Sequence, residues 1–305
     1  MKYRNVENWK TEIKKLAKSK KLDIQDVQQR YVLEEFAEKI SLSKYSNMLV
    51  LKGGFVVSTL LGLDTRMTRD IDITCKSTIY SLDEMKTILQ EVIETKSESF
   101  FDYSIGCVVE SQIDDYYSGF IAQIIAKNEK TLIKIKLDIS NNTLIFPDAL
   151  KSYFNSLFST KKIELMTYPI ENIIAEKYET TLDRGEYNTR IRDLFDIYLL
   201  MNENSYLIDE KLLAKTIIEV SKDRDTIENI DDFDEIIELL EESQIFNKHF
   251  NNYKEKQYPH MNITLKEIFE KFRLNYICLF DYLFISSQMS AKPYFIGSTG
   301  ILLLW

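Results

Sequence analysis

Proline and glycine are scarce in this 305-residue chain, at four and eight residues. That argues against disorder and against an all-β fold built on many tight turns. Cysteine is scarce too: Cys75, Cys107 and Cys278 lie far apart and form no Cys-x-x-Cys. A disulfide framework or a cysteine-ligated zinc site is therefore not expected, and a reducing cytoplasm is the natural setting. Only two histidines occur, His249 and His260, which leaves an imidazole acid–base pair of the RNase kind little to work with. No apolar run approaches the roughly 18 residues that span a bilayer. No signal-like segment opens the sequence, and no membrane partner is expected.

What is present is an ordinary globular composition, 45% hydrophobic and 29% charged, in a chain long enough for a sizeable core and two domains. The net charge of −9 is unevenly spread. Asp223 to Glu242 carries ten acids and one arginine, so that stretch alone contributes −9 and the remainder sums to zero. The first 21 residues carry eight Lys/Arg and two Glu. Such runs commonly keep surfaces solvated. Their functional reading is a basic N-terminal arm that contacts phosphates and an acidic face for a basic partner.

Hydrophobic periodicity divides the chain. Residues 24–40 read as an amphipathic helix, 48–51 as a short buried strand, GFVVSTLLG as a helix and RDIDITC as the next strand. A helix over residues 81–96 opens with the Ser81-x-x-Glu84 capping pattern. SIGCVVESQ, GFIAQIIA and TLIKIKLDIS follow as strands, and from Pro169 the period is helical. The expected class is α+β, with a mixed sheet and flanking helices followed by a helical C-terminal domain. Residues 1–165 form the α/β domain with its basic arm. Residues 166–285 form the helical domain, and 286–305 a tail with no assigned role.

In RDIDITC, Asp70 and Asp72 project to one face and Ile71 and Ile73 to the other. The two carboxylates stand about 7 Å apart along the strand. They are either solvated acids or a seat for a divalent ion, since Mg²⁺ is held by one or two carboxylates plus substrate phosphates. In TLIKIKLDIS, Asp138 shares the polar face with Lys134 and Lys136 and would join the pair if the strands are neighbours. Three such acids around two ions can clamp an in-line phosphoryl displacement. Gly53 and Gly54 follow a strand and open a helix, where free N–H groups favour an anion. The motif is neither Walker A nor GxGxxG. In PIENIIAEKYETTL, Lys177 falls inside the apolar stripe, so it either snorkels outward or meets a partner. The next helix carries a polar wedge of Arg192, Asp193 and Asp196, read either as structural ion pairing or as the wall of a shared cleft.

The order Gly-Gly, R-x-T-x-D-I-D (Arg66, Thr68, Asp70, Asp72), K-L-D-I, A-E-K-Y and R-D-L-F-D-I-Y, over residues 45–200, resembles the AbiEii/AbiGii-type nucleotidyltransferase toxins of bacterial toxin–antitoxin and phage abortive-infection systems. The resemblance implies a nucleotidyltransferase-like fold that moves a nucleoside monophosphate from an NTP to an RNA acceptor, the tRNA 3′ end in some relatives. It implies Mg²⁺ or Mn²⁺ on Asp70, Asp72 and Asp138, and catalytic roles for these three with Lys177 and Asp193. Nucleotide contacts are implied at Gly53, Gly54, Arg66, Thr68, Lys177 and Arg192, and an antitoxin encoded alongside as partner. Many nucleotidyltransferases carry Gly-Ser where this chain has Gly53-Gly54-Phe55, so a serine contact to phosphate is missing. Rival readings are a GTP-binding toxin that does not transfer, and a nucleotidyltransferase acting on a small molecule or protein.

Overall fold

The computed structural model describes residues 3–62, 65–113 and 117–274. The chain runs α1 (Val6–Lys20), α2 (Ile24–Leu42), β1 (Leu49–Lys52), α3 (Gly53–Leu61), β2 (Asp70–Cys75), α4 (Leu82–Glu94), β3 (Asp102–Ile113), β4 (Tyr117–Asn128), β5 (Thr131–Asn141), β6 (Leu150–Asn155) and β7 (Lys162–Thr167). Helices α5 (Ile170–Arg184), α6 (Ile191–Glu203), α7 (Glu210–Asp223), α8 (Glu228–Asp231), α9 (Phe233–Glu242) and α10 (Gln244–Gln257) follow. The tail from residue 286, and the end of the expected helical domain, lie outside the described residues.

The seven strands form one mixed sheet in the order β3-β4-β5-β2-β1-β7-β6. β2 pairs antiparallel with β1 and parallel with β5. Alternation does what the sequence implies: Ile71 and Ile73 of β2 and Ile135, Leu137 and Ile139 of β5 are buried, while Asp70, Asp72 and Asp138 lie on the opposite, more open face. The capping pattern at α4 is realised, with Glu84 N–H donating to Ser81 Oγ at 3.1 Å.

Three expectations are corrected. The basic N-terminal stretch is not a loose arm. Val6, Trp9, Ile13 and Ala17 recur at helical spacing, so α1 folds and buries them, and Trp9 packs edge-on to Phe101 and Tyr31. Its lysines Lys14, Lys15 and Lys18 stay on the outer face. Helix α2 is not simply amphipathic, because Arg30, Glu34, Glu35 and Lys39 are buried with the apolar residues. Each is satisfied: Arg30 pairs with Glu34 at 2.9 Å and donates to Ser58 Oγ, Glu35 accepts from Phe100 N–H at 2.7 Å, and Lys39 donates to the Ile93 and Thr95 carbonyls. Buried charges are tolerated when paired in this way. Lastly, β6 and β7, unread in the sequence, extend the sheet beyond β1.

Candidate active site

Register across the sheet assembles the site. Lys52 lies opposite Asp72, and Asp72 opposite Asp138, so three neighbouring strands place a lysine and two aspartates in one row. Asp70 faces Lys136 one pleat away. Strand β1 passes directly into α3, whose first residue, Gly53, takes φ 58°. A Cβ on Gly53 would sit 2.0 Å from Asp72 Oδ2, so only glycine allows this approach. Gly54 N–H donates to the same Oδ2 at 3.2 Å. The amino end of α3 and the Asp72 carboxylate thus meet at one point.

The helical half closes the other side. Lys177 of α5 reaches Asp193 in a close pair and Asp196 Oδ2 at 2.9 Å, both on α6. Asp196 is fully buried and also accepts from Arg66 Nε at 2.7 Å. Burial pushes the Asp196 carboxyl up, but Lys177 and Arg66 carry it net below the ordinary range. Glu176 sits between Lys52 Nζ at 3.3 Å and Arg224 Nη2 at 3.4 Å. Burial pulls the Lys52 ammonium down, yet Glu176, Tyr168 and Asp72 outweigh it and hold it charged.

Between the two halves lies a cavity of about 350 Å³, lined among others by Lys52, Gly53, Gly54, Asp70, Asp72, Asp138, Lys177, Arg192 and Asp193. That volume lies in the range of small-ligand sites. The Asp72 carboxyl is pushed up to about 6: burial is the largest cause, and the Asp70 and Asp138 carboxylates add to it against Lys52 and the Gly54 N–H. The Asp70, Asp72 and Asp138 carboxylates offer oxygen donors, the kind that suits a hard divalent cation. They are not a closed cage. Asp70 accepts from Thr68 Oγ1 at 2.6 Å and Asp138 from Lys136 Nζ at 2.7 Å. Among the described residues no group of three His, Cys, Asp or Glu is disposed to hold a metal alone. Asp70 and Asp72 would hold it with substrate phosphates completing the shell.

Most of the expected residues gather here: Gly53, Gly54, Asp70, Asp72, Asp138, Lys177, Arg192 and Asp193 line one cavity. Arg66 and Thr68 do not line it. Arg66 is turned to Asp196 and Thr68 to Asp70, so they support residues of the cleft from behind. Among the lining residues that went unread are Lys52, Glu176 and Arg224. Lys52 directly precedes the glycine pair and Glu176 the motif lysine, so adjacency offered a signal for both. Arg224 offered none beyond being the single cation of the acidic stretch. His249 and His260 are exposed.

Among solved structures, the chain is similar to JHP933 from Helicobacter pylori, at 18% identity and TM-score 0.46, covering 88% of this chain and 98% of that one. It is also similar to a nucleotidyltransferase from H. pylori, at 18% identity and TM-score 0.42, covering 89% and 100%. A third similarity is to an antigenic nucleotidyltransferase-like protein from Paracoccidioides brasiliensis, at 15% identity and TM-score 0.39, covering 66% and 90%. No curated protein matches. The model of the family described as nucleotidyl transferase AbiEii toxin, type IV toxin–antitoxin system, matches residues 36–271. That span takes in the glycine turn, the three aspartates and both helices of the lysine cluster, and the chain belongs to this family of nucleotidyltransferase toxins.

Proposed function

We propose that this toxin transfers a nucleoside monophosphate from an NTP to the 3′ end of an RNA, with tRNA the favoured acceptor, using Mg²⁺ or Mn²⁺. An antitoxin encoded alongside holds it in check, and the setting is the cytoplasm. The observation that carries this reading is the meeting of Asp72 with the Gly53–Gly54 turn, beside Asp70 and Asp138 on neighbouring strands. Among the described residues no helix is long and apolar enough to cross a membrane.

In this mechanism the N–H groups that open α3 receive triphosphate oxygens. Asp70 and Asp72 would hold the ion, which when bound would polarise the phosphoryl oxygens as a Lewis acid. Asp138 accepts the proton of the attacking 3′ hydroxyl. The hydroxyl oxygen bonds to the α-phosphorus, the bond to the β-phosphate oxygen breaks, and pyrophosphate leaves. Lys52 and Lys177 offset the charge that builds on the leaving group. Asp193 and Asp196 aim Lys177, and Arg192 stands at the mouth of the cleft. Pyrophosphate release from each NTP, with and without total tRNA, tests the reading. RNA-dependent release that is lost in Asp72→Ala supports it. Nucleotide binding without pyrophosphate release in any mixture would replace it with sequestration.

A further inference from the structure

Arg69, Lys256 and the carboxyl end of α10 play no part in the site described so far. They meet at a second cavity, of about 370 Å³, that shares Asp70 and Arg192 with the first. Its walls carry three cations besides Arg66, which is turned to Asp196: these are Arg69, Arg192 and Lys256, and with them stand two carboxylates, Asp26 and Asp70, and two aromatic rings, Tyr253 and Tyr258. The three cations are exposed. Arg69 pairs with Asp26 at 2.8 Å while its side chain stays 70% exposed, and a surface pair of that kind gives way readily to a better anion. The tyrosines are fixed: both rings pack on Phe195, with centroids 5.2 and 5.0 Å away, and Tyr258 OH donates to the Thr65 carbonyl at 3.1 Å. Lys256 alone could be explained by the carboxyl-terminal dipole of α10. That explanation does not reach Arg69 or Arg192.

We propose that this cavity seats the 3′-terminal nucleotides of a single-stranded polynucleotide acceptor, with phosphates on Arg69, Arg192 and Lys256 and a base against the tyrosines. The proposal rests on the reading that nucleotide is transferred to RNA. Spaced cations beside aromatic faces are the combination that binds single strands with little regard to sequence, and a small acceptor has no use for three separate cations. Position agrees. The glycine turn lies at Asp72, and Asp70 is two residues along the strand, about 7 Å away. In-line displacement places the attacking oxygen opposite the leaving group. A donor whose phosphates rest on the glycine turn is therefore met from the Asp70 side, where the second cavity opens.

The test is fluorescence anisotropy of a labelled single-stranded RNA octamer across a salt series, with wild type, Arg69→Ala/Lys256→Ala and the charge-keeping Arg69→Lys/Lys256→Arg. Neither residue lines the first cavity, and melting temperature reports whether each variant folds. The expected result is binding at least about tenfold weaker in the alanine pair, with the slope of log affinity against log salt shallower by about 1.4. The charge-keeping pair keeps the wild-type slope. Equal affinity and slope in wild type and alanine pair, or no RNA binding by wild type, overturns the proposal. RNA binding that depends on these cations, in a protein that labels no RNA with any NTP, would uphold the cavity while refuting the transfer reading.

Discussion

Gly53 carries the tightest constraint of any single residue in the cleft. It needs φ 58°, and an added methyl would lie 2.0 Å from the Asp72 carboxylate. Gly53→Ala is expected to displace Asp72 and to lower nucleotide transfer by about 100-fold. It should also cost about 1–2 kcal/mol of stability through the left-handed backbone. Parallel urea titration and transfer assays check both. Asp72 itself carries a pH signature. Its carboxyl, ordinarily at 3.8, is raised to about 6 by burial and by Asp70, so the folded chain binds this proton more tightly than the unfolded one. The resulting stability is fully present below pH 3.8 and is lost as pH rises through about 6. Because a divalent ion competes with that proton, Mn²⁺ should raise the melting temperature more at pH 7.5 than at pH 5, and Asp72→Asn should flatten the difference. At this scale much was legible. Alternation put Asp70, Asp72 and Asp138 on open faces, and helical phase turned Lys177 inward. Lys52 and Glu176 were hidden by appearance, since a lysine ending a strand and a glutamate on a helix look like solvated surface until their partners are known.

Among the elements, Asp196 of α6 ties three segments together. It holds Lys177 of α5 and Arg66 of the segment before β2 while fully buried. Asp196→Ala leaves the buried Arg66 without its carboxylate and Lys177 with Asp193 alone, and a loss of about 3–5 kcal/mol is expected in chemical denaturation. A loss under about 1 kcal/mol would mean that the pairs only break even. At the other end, α1 is part of the core. Trp9→Ala should cost about 3–5 kcal/mol, whereas a detached basic arm would lose almost nothing. The arm was misread because eight cations in 21 residues mask a four-residue apolar stripe. Strand β6 was illegible for a different reason. It is an edge strand with Leu150 and Tyr153 exposed, so no apolar alternation marks it. Its neighbour β7 alternates, but over six residues only.

Across the whole molecule, function depends on contacts that sequence separates. The cleft joins residue 52 to residue 224, and the sheet order, with β2 inserted between β1 and β5, places Asp72 beside both Lys52 and Asp138. Motif order conveyed which residues belong together, and the fold brings the starts of α3 and β2, Asp138 of β5 and the mid-helix Lys177 of α5 to one cavity. Arg224 escaped notice because an acidic stretch of charge −9 gives no hint that its one cation turns inward to Glu176 and Glu179. The acidic run is therefore two things at once, an exposed face and the source of a buried arginine. The measurement that reaches the central claim most directly follows the label from two positions of the same nucleotide. Each NTP, labelled at the α- or the γ-phosphate, is incubated with the protein, Mg²⁺ and total tRNA, beside Asp72→Ala. Nucleotidyl transfer predicts α-label on RNA, γ-label released as pyrophosphate, and neither in the variant. γ-Label on RNA, or α-label on RNA that persists in Asp72→Ala, would contradict it.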